Sequence, residues 1–382
     1  MKPRVLLLSQ DVHCIPPLTG AAVEQWIDAV AHRLDGCESH IVSPGHPLRP
    51  DDETLDRVRY HRIRVGRVYK RLFQKLSRLD PWSYTDRVIR YAAKIRPDII
   101  HLHNAPHFAD ALKKGVPQAR LILHMHNEKD VSFAGPVDAL VGCSEYVSRW
   151  YQARQAPAKE FAVLPNGVDT AAFHPAPERR SSVCARFGVP AERFIVLYAG
   201  RISPEKGPDL LAEAFRHLPA ERFHLVLVGE WPQGDGRSNQ RVAFADQLRE
   251  LLSGMPVTVL GNFPPTEMAA IYRMGDLLVI PSRFEEPFSM VAIEAMASGL
   301  PVLALRRGGM VEYMVDGENA LLLDPNVAAA DLAAAIERCA HDGVAAQRRA
   351  GKARQLVEAR FDWRQVAGAT QALYEQVLAR RG

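Results

Sequence analysis

Thirteen short apolar segments alternate with helix-length segments, in two series separated by the Pro- and charge-rich stretch "FHPAPERRSS", and this predicts an α/β protein of two Rossmann-like domains. The segments are continuous apolar runs, as parallel strands covered on both faces require, and do not show the in-out alternation of an open antiparallel sheet. At 382 residues, 47% hydrophobic and 24% charged, the chain can fill two separate cores.

In chain order, the first series places buried strands at Arg4–Ser9, Ser39–Ser43, Tyr60–Val65, Asp98–His103, Leu121–His126, Ala139–Ser144 and Phe161–Leu164. The second places them at Phe194–Gly200, Phe223–Gly229, Val257–Gly261, Leu277–Ser282, Val302–Leu305 and Ala320–Leu323. Segments such as "GPDLLAEAFRHL" and "PTEMAAIYRMG" between them have helical length and spacing. Ligands of such folds bind beyond the carboxyl ends of the strands, so functional residues are sought immediately after each run.

Composition excludes several classes. Five scattered cysteines with no CxxC pair fit a reducing compartment and give neither a disulfide frame nor a structural zinc site. The apolar run of "MKPRVLLLSQD" is too short for a signal peptide, and no stretch reaches the roughly 18 apolar residues of a membrane span, so the chain reads as cytoplasmic. No GxGxxG follows a strand, and neither a P-loop nor a GxSxG elbow is present. The pairs His101/His103 and His124/His126 put imidazoles on one strand face, a possible metal geometry, although strand-tip histidines in a cleft more often bond to a polar ligand.

The net charge of +4 is unevenly spread. Between Arg57 and Arg96 thirteen Lys or Arg face two acids, an excess of +11 that leaves the rest of the chain at −7. Tyr69, Leu72, Phe73, Leu76, Leu79 and Trp82 interleave these charges. The composition suits an anionic membrane surface; a solvated Arg-rich face is the plainer alternative, and no nucleic-acid module accompanies the patch.

Three motifs carry chemistry. In "LYAGRISPEKGPDLLAEAF" a buried strand leads through a turn bearing Arg201 and Lys206 into a helix opening near Gly207 and Pro208. Two cations beside a helix N-terminus make a receptacle for a diphosphate. A second strand-turn-helix, "CIPPLTGAAVEQWIDAVAHRL", has Gly20, Ala21 and Ala22 where its helix begins, small enough for close approach to the backbone. The third, "RFEEPFSMVAIEAMASGLPVLA", places Glu286 at a helix entrance with Pro287 in its first turn, and Glu294 about two turns in. Two such acids can accept hydrogen bonds from the hydroxyls of a sugar and of a ribose.

These segments, together with "PDIIHLHN", "LILHMHNE", "VGCSEYV", "LPNGVDTAAFHP", "LVLVGE" and "GGMVEYMVDGENALLL", resemble the retaining glycosyltransferases of family 4, with the GT-B fold, over nearly the whole chain. The resemblance implies two Rossmann-like domains facing across a cleft: an acceptor-side domain at 1–175, a nucleotide-sugar domain at 176–362, and a last helix, 363–382, returning to the first. It implies that Arg201 and Lys206 meet the donor diphosphate, that Glu286 meets the transferred sugar and Glu294 the ribose, that His126 lies near the sugar, and that Gly20 and Ala21 cover the phosphates. It extends the donor side to Gly229, Asn262, Phe263, Phe288, Ser289, Met290 and Val291, and puts His103 and Asn166 on the acceptor side.

Two residues depart from the family pattern: Ala21 replaces a second Gly, and Ser289 replaces the Gly of "E-P-F-G", which bears on the donor hexose more than on the reaction. The activity implied is metal-independent, retaining transfer of a hexosyl group from a nucleotide diphosphate sugar, with uridine favoured on family frequency. The acceptor would be a glycan or lipid-linked acceptor of the cell envelope, reached by a cytoplasmic protein at the inner membrane face. Alternatives are a small natural-product acceptor, a GT-B epimerase or phosphorylase, and a non-catalytic sugar-nucleotide binder.

Overall fold

The computed structural model describes residues 2–18, 21–69, 71–73, 82–130, 135, 137–176, 179–232 and 239–380. Gly20 and, in the basic sector, Lys70, Lys75, Leu76, Arg78, Leu79 and Asp80 lie outside the described residues. The chain divides into two compact units, Met1–Asn166 with Trp363–Gly382, and Gly167–Asp362.

The first unit carries an eight-stranded sheet: β1 (Arg4–Leu8), β2 (Glu38–Pro44), β3 (Asp52–Leu55), β4 (Val58–Ile63), β5 (Ile99–His103), β6 (Arg120–Met125), β7 (Ala139–Gly142) and β8 (Phe161–Val163). The order is β3-β4-β2-β1-β5-β6-β7-β8, all parallel except the β3-β4 hairpin. β3 is the one strand the apolar runs do not reveal. Its residues Asp-Glu-Thr-Leu alternate between exposed and half-buried on the sheet edge, where a single covered face needs no continuous apolar run. The helix Trp363–Ala379 joins this unit. It packs Trp363, Val366, Leu373, Tyr374 and Val377 against Trp26, Ile27 and Val30 of the helix Ala22–Ala31.

The second unit carries a six-stranded, wholly parallel sheet: β9 (Phe194–Ala199), β10 (Phe223–Val228), β11 (Val257–Leu260), β12 (Leu277–Ile280), β13 (Val302–Leu305) and β14 (Leu321–Leu323). Its order is β11-β10-β9-β12-β13-β14. The chain therefore builds outward from β9 in one direction and then restarts beside β9 with β12, which leaves a topological switch between those two strands. The boundary falls at 166/167 instead of 175/176, because residues after Asn166 pack on the second unit. Thr170 bonds to Asp362 at 2.5 Å, Phe173 meets Tyr272 at 6.1 Å between ring centroids, and Arg273 Nη2 donates to the Ala172 carbonyl at 2.8 Å.

Candidate functional site

At the β9/β12 switch two loops leave the carboxyl ends of adjacent strands. The first, Gly200–Gly207, passes through a short 3-10 turn at Pro204–Lys206 and ends in Gly207, with φ of +68°. A Cβ there would stand 2.1 Å from the Pro281 carbonyl oxygen of the second loop, so glycine is what lets the two loops touch. The helix Pro208–Phe215 starts at once, with Pro208 at its first position.

Lys206 reaches across the switch. Its Nζ lies 2.7 Å from Oε1 of Glu286, which also accepts the Ser282 hydroxyl at 2.5 Å. Glu286 is buried, and Lys206 is one-fifth exposed and sits 4.5 Å from the Phe284 ring centroid. Lys206 and Ser282 thus both hold the same carboxylate oxygen. Arg201, by contrast, is more than half exposed, with a 3.9 Å contact to Glu205 as its one ion pair among the described residues. The backbone of Glu286 is braced by Gly308 and Gly309: Gly309 N–H donates to the Glu286 carbonyl at 2.7 Å, and a Cβ on Gly308, with φ of +54°, would lie 2.3 Å from that same oxygen. Beside it, Glu285 accepts from Arg307 at 3.1 Å and from the Gly308 N–H.

The helix expected to begin at Pro287 begins at Met290 and ends at Ala297. Pro287 lies before it, since the backbone first turns through Ser289 at φ +79°, ψ +97°. Glu294 is consequently just over one turn in, and not two. It accepts a 2.8 Å hydrogen bond from the Tyr272 hydroxyl, and enclosure pushes its carboxyl up to about 7 despite that bond, which acts in the opposite direction. Met290 and Val291 are half-buried at the helix N-terminus, where no side chain caps the free N–H groups. The Phe288 ring is buried against Tyr313 and Phe361, and its carbonyl accepts the Tyr313 hydroxyl at 2.5 Å. The Ser289 hydroxyl is buried with no partner in the protein.

The remaining residues expected on the donor side follow the neighbouring strands. Gly229 closes β10 with φ of +156°, where a Cβ would lie 1.8 Å from the Gly200 carbonyl oxygen. Asn262 is exposed beyond β11, and Phe263 packs edge-on against Phe187 at 5.5 Å. Arg201, Gly229, Asn262 and Glu286 thus all lie just past the carboxyl ends of four adjacent strands.

In the first unit, Ala21 caps the helix Ala22–Ala31 at φ −139°, an extended conformation that alanine takes without strain. His126 is held at both ring nitrogens: Nδ1 lies 3.2 Å from Asn166 Oδ1, and Nε2 lies 3.2 Å from His103 Nδ1. Burial lowers His126 to about 4, so the ring is neutral at physiological pH. Asn166 accepts, so His126 Nδ1 donates and its Nε2 accepts from His103. His103 itself is fully enclosed, and its ring meets His126. His101 and His124 are likewise enclosed, beneath Trp26, and do not line a cleft.

One ring nitrogen from each of His101, His103 and His124 lies within 4.8 Å of the others, and each of these rings has a nitrogen without a protein partner. Among the described residues this trio is the arrangement that could accept a metal ion. Sequence reasoning missed Ser282 and Tyr272, which hold the two acids. It also missed Asn104, a left-handed residue after β5 whose carbonyl accepts from Gln10 at 2.5 Å and from Lys129 at 2.9 Å.

Comparison with known proteins gives two adjoining family matches: "Glycosyltransferase Family 4" over residues 23–172 and "Glycosyl transferases group 1" over residues 184–356. The lipopolysaccharide 1,2-N-acetylglucosaminetransferase of Salmonella typhimurium is 31% identical over 377 residues, covering 96% of this chain and 97% of that protein. Sucrose-phosphate synthase from Thermosynechococcus elongatus superposes over the full length of both chains with a TM-score of 0.81 at 25% identity. Anabaena HepE, solved with UDP-glucose, gives a TM-score of 0.77 at 19% identity over 98% of this chain and all of that one, a likeness of fold.

Proposed function

The chain belongs to the group 1 glycosyl transferases, with the GT-B fold, and we propose that within this family it is a retaining hexosyltransferase using a nucleoside diphosphate sugar, with uridine favoured. The observation that carries this reading is the Lys206–Glu286 pair at the β9/β12 switch, which sets a cation and a buried sugar-binding carboxylate 2.7 Å apart beside a helix N-terminus.

In the proposed reaction the bond from the sugar C1 to the diphosphate oxygen breaks and a bond from C1 to the acceptor oxygen forms on the same face. The acceptor proton passes to the leaving phosphate. Arg201, Lys206 and the N-terminus of Pro208–Phe215 take up the negative charge that develops on the diphosphate, in place of a divalent ion. Glu286 accepts from hydroxyls of the transferred sugar, Glu294 accepts from the ribose, and the N–H groups of Ser289, Met290 and Val291 lie at the sugar. His126 acts as a neutral, positioned group and not as an acid.

For the acceptor we propose a hydroxyl of an envelope polysaccharide or glycolipid, a reading supported by the name of the Salmonella relative. No helix among the described residues is long and apolar enough to cross a membrane. Peripheral attachment through residues 57–96 is part of the proposal, supported by the charge excess and by Val68, Leu72, Phe73 and Trp82, which stand 37% to 72% exposed among those cations. The test is incubation with a panel of UDP-, GDP- and ADP-sugars and an envelope extract. Acceptor-dependent release of one nucleoside diphosphate is expected, and release that ignores the acceptor for every donor contradicts the transfer reading.

A further inference from the structure

A polar cavity of 420 Å³ runs between the helix Tyr84–Ile95 and the β3-β4 edge of the first unit. Its walls differ in how their charges are paired. On the strand side each acid has a partner: Asp51 pairs with Arg64 at 2.5 Å, Asp52 lies 2.7 Å from the His61 ring, and Glu53, behind the wall, pairs with the buried Arg62 at 2.8 Å. On the helix side Arg87, Arg90 and Lys94 project from successive turns of one face, and among the described residues none has a carboxylate partner. Arg87 and Arg90 instead lie 5.2 and 5.3 Å from the Trp82 ring centroid, within reach of cation–π attraction. The cavity thus presents three cations without a carboxylate partner among the described residues, two of them beside one indole ring.

A second cavity, of 350 Å³, adjoins the first through Ile63 and Arg64 and opens past the carboxyl ends of β1, β2 and β4. It is lined by Asp11, His46 and Tyr84, from the first turn of the same helix. The Tyr84 hydroxyl is buried without a partner. An enclosed phenol that bonds to nothing in the protein lacks a partner that a ligand can supply. One helix face therefore carries a hydroxyl-binding end and a cationic end.

We propose that this groove binds a saccharide bearing a phosphate ester, with sugar hydroxyls at Tyr84 and the phosphate dianion at Arg87, Arg90 and Lys94. Three cations match a phosphate monoester, with its charge approaching −2 and its three acceptor oxygens, better than they match a single carboxylate. The inference rests on the glycosyltransferase reading, in which such a ligand is a charged acceptor or an acceptor branch.

The experiment is a calorimetric titration of the full chain with glucose 6-phosphate, glucose, inorganic phosphate and phosphatidylglycerol vesicles. Glucose 6-phosphate is expected to bind more tightly than either glucose or phosphate. Binding should fall at least tenfold in the Arg87→Ser, Arg90→Ser, Lys94→Ser triple variant and about threefold in Lys94→Ser alone, an exposed position where folding is not at risk. Tyr84→Phe should weaken glucose 6-phosphate severalfold and leave inorganic phosphate unchanged. Equal binding by the wild type and Lys94→Ser, or binding to vesicles with none to glucose 6-phosphate, overturns the proposal. The readout is binding and not turnover, so a chain that transfers sugar but ignores sugar phosphates refutes this inference alone.

Discussion

Lys206 Nζ and Glu286 Oε1 stand 2.7 Å apart at the switch between β9 and β12, with the carboxylate buried and the ammonium partly open to solvent. The pair joins two duties that sequence alone assigns to separate ligand groups, the diphosphate and the sugar. A cation shared between that buried acid and a diphosphate would link the two ligand groups through one ammonium.

Arg201→Ala and Lys206→Ala should separate catalysis from stability. Each should lower kcat by about 10²- to 10³-fold, the loss typical of one charge-stabilising donor, worth about 3 to 4 kcal/mol. Arg201 is more than half exposed, so its removal should leave the melting temperature unchanged. Lys206→Ala strands a buried carboxylate and should cost about 3 kcal/mol of stability, recovered in part by adding Glu286→Gln. Thermal melts and single-turnover assays check this; an unchanged kcat in both variants would sink the diphosphate assignment.

If Glu294 meets the donor ribose, as proposed, it should set the pH dependence of donor binding. Its carboxyl is raised to about 7, so the unfolded chain ionises first and stability declines as pH rises from about 4.5 to 7, after which the loss is constant. Ribose hydroxyls prefer the ionised acceptor, so donor affinity should rise with pH up to about 7 and then level off. Donor Kd measured from pH 5.5 to 8.5 should show this rise in the wild type, and a flat profile in Glu294→Gln. A flat wild-type profile would remove Glu294 from the ribose site.

Ser289 holds a positive φ that glycine adopts freely, and its hydroxyl is buried without a partner. Ser289→Gly should therefore stabilise the protein by roughly 1 kcal/mol while reducing discrimination among donor hexoses. Melting temperature and relative kcat/KM for UDP-glucose and UDP-N-acetylglucosamine test the two halves. Unaltered donor preference would leave the serine without a role in selecting the sugar.

Much of the fold was legible in the sequence because buried parallel strands announce themselves as apolar runs, and each of the thirteen runs coincides with a strand to within a few residues. β3 was not legible, because an edge strand such as Asp52–Leu55 owes its pairing to β4 and not to its own hydrophobicity. Arg201, Lys206 and Glu286 stood out as charged residues in the loops after apolar runs, and Glu294 by its eight-residue spacing from Glu286. The start of the helix at Met290 could not, since Pro287 suits a first turn and only the left-handed turn at Ser289 delays it. The burial of the His103 and Phe288 side chains was not legible, because sequence position shows which strand or loop a side chain follows while the packing around it decides how far it is enclosed.

The basic sector should bind anionic vesicles. Each Lys or Arg near such a surface contributes about 1 kcal/mol, and the attraction decays over a Debye length of about 8 Å at physiological salt. Sedimentation should show capture by phosphatidylglycerol but not phosphatidylcholine vesicles, reversed by salt and reduced on exchanging Arg67, Lys70, Arg71 and Lys75 for Ser. Indifference to both vesicle types would remove the membrane contact and leave sugar transfer untouched.

The most direct measurement is NMR of the product formed from an α-linked UDP-hexose and an envelope acceptor fraction in the presence of EDTA. The expected spectrum shows an α-anomeric proton on the new glycoside, appearing in step with released UDP at a rate that the chelator does not change. A β-linked product, loss of transfer that Mg²⁺ restores, or no transfer from any nucleotide sugar would contradict metal-independent retaining transfer at the Lys206–Glu286 site.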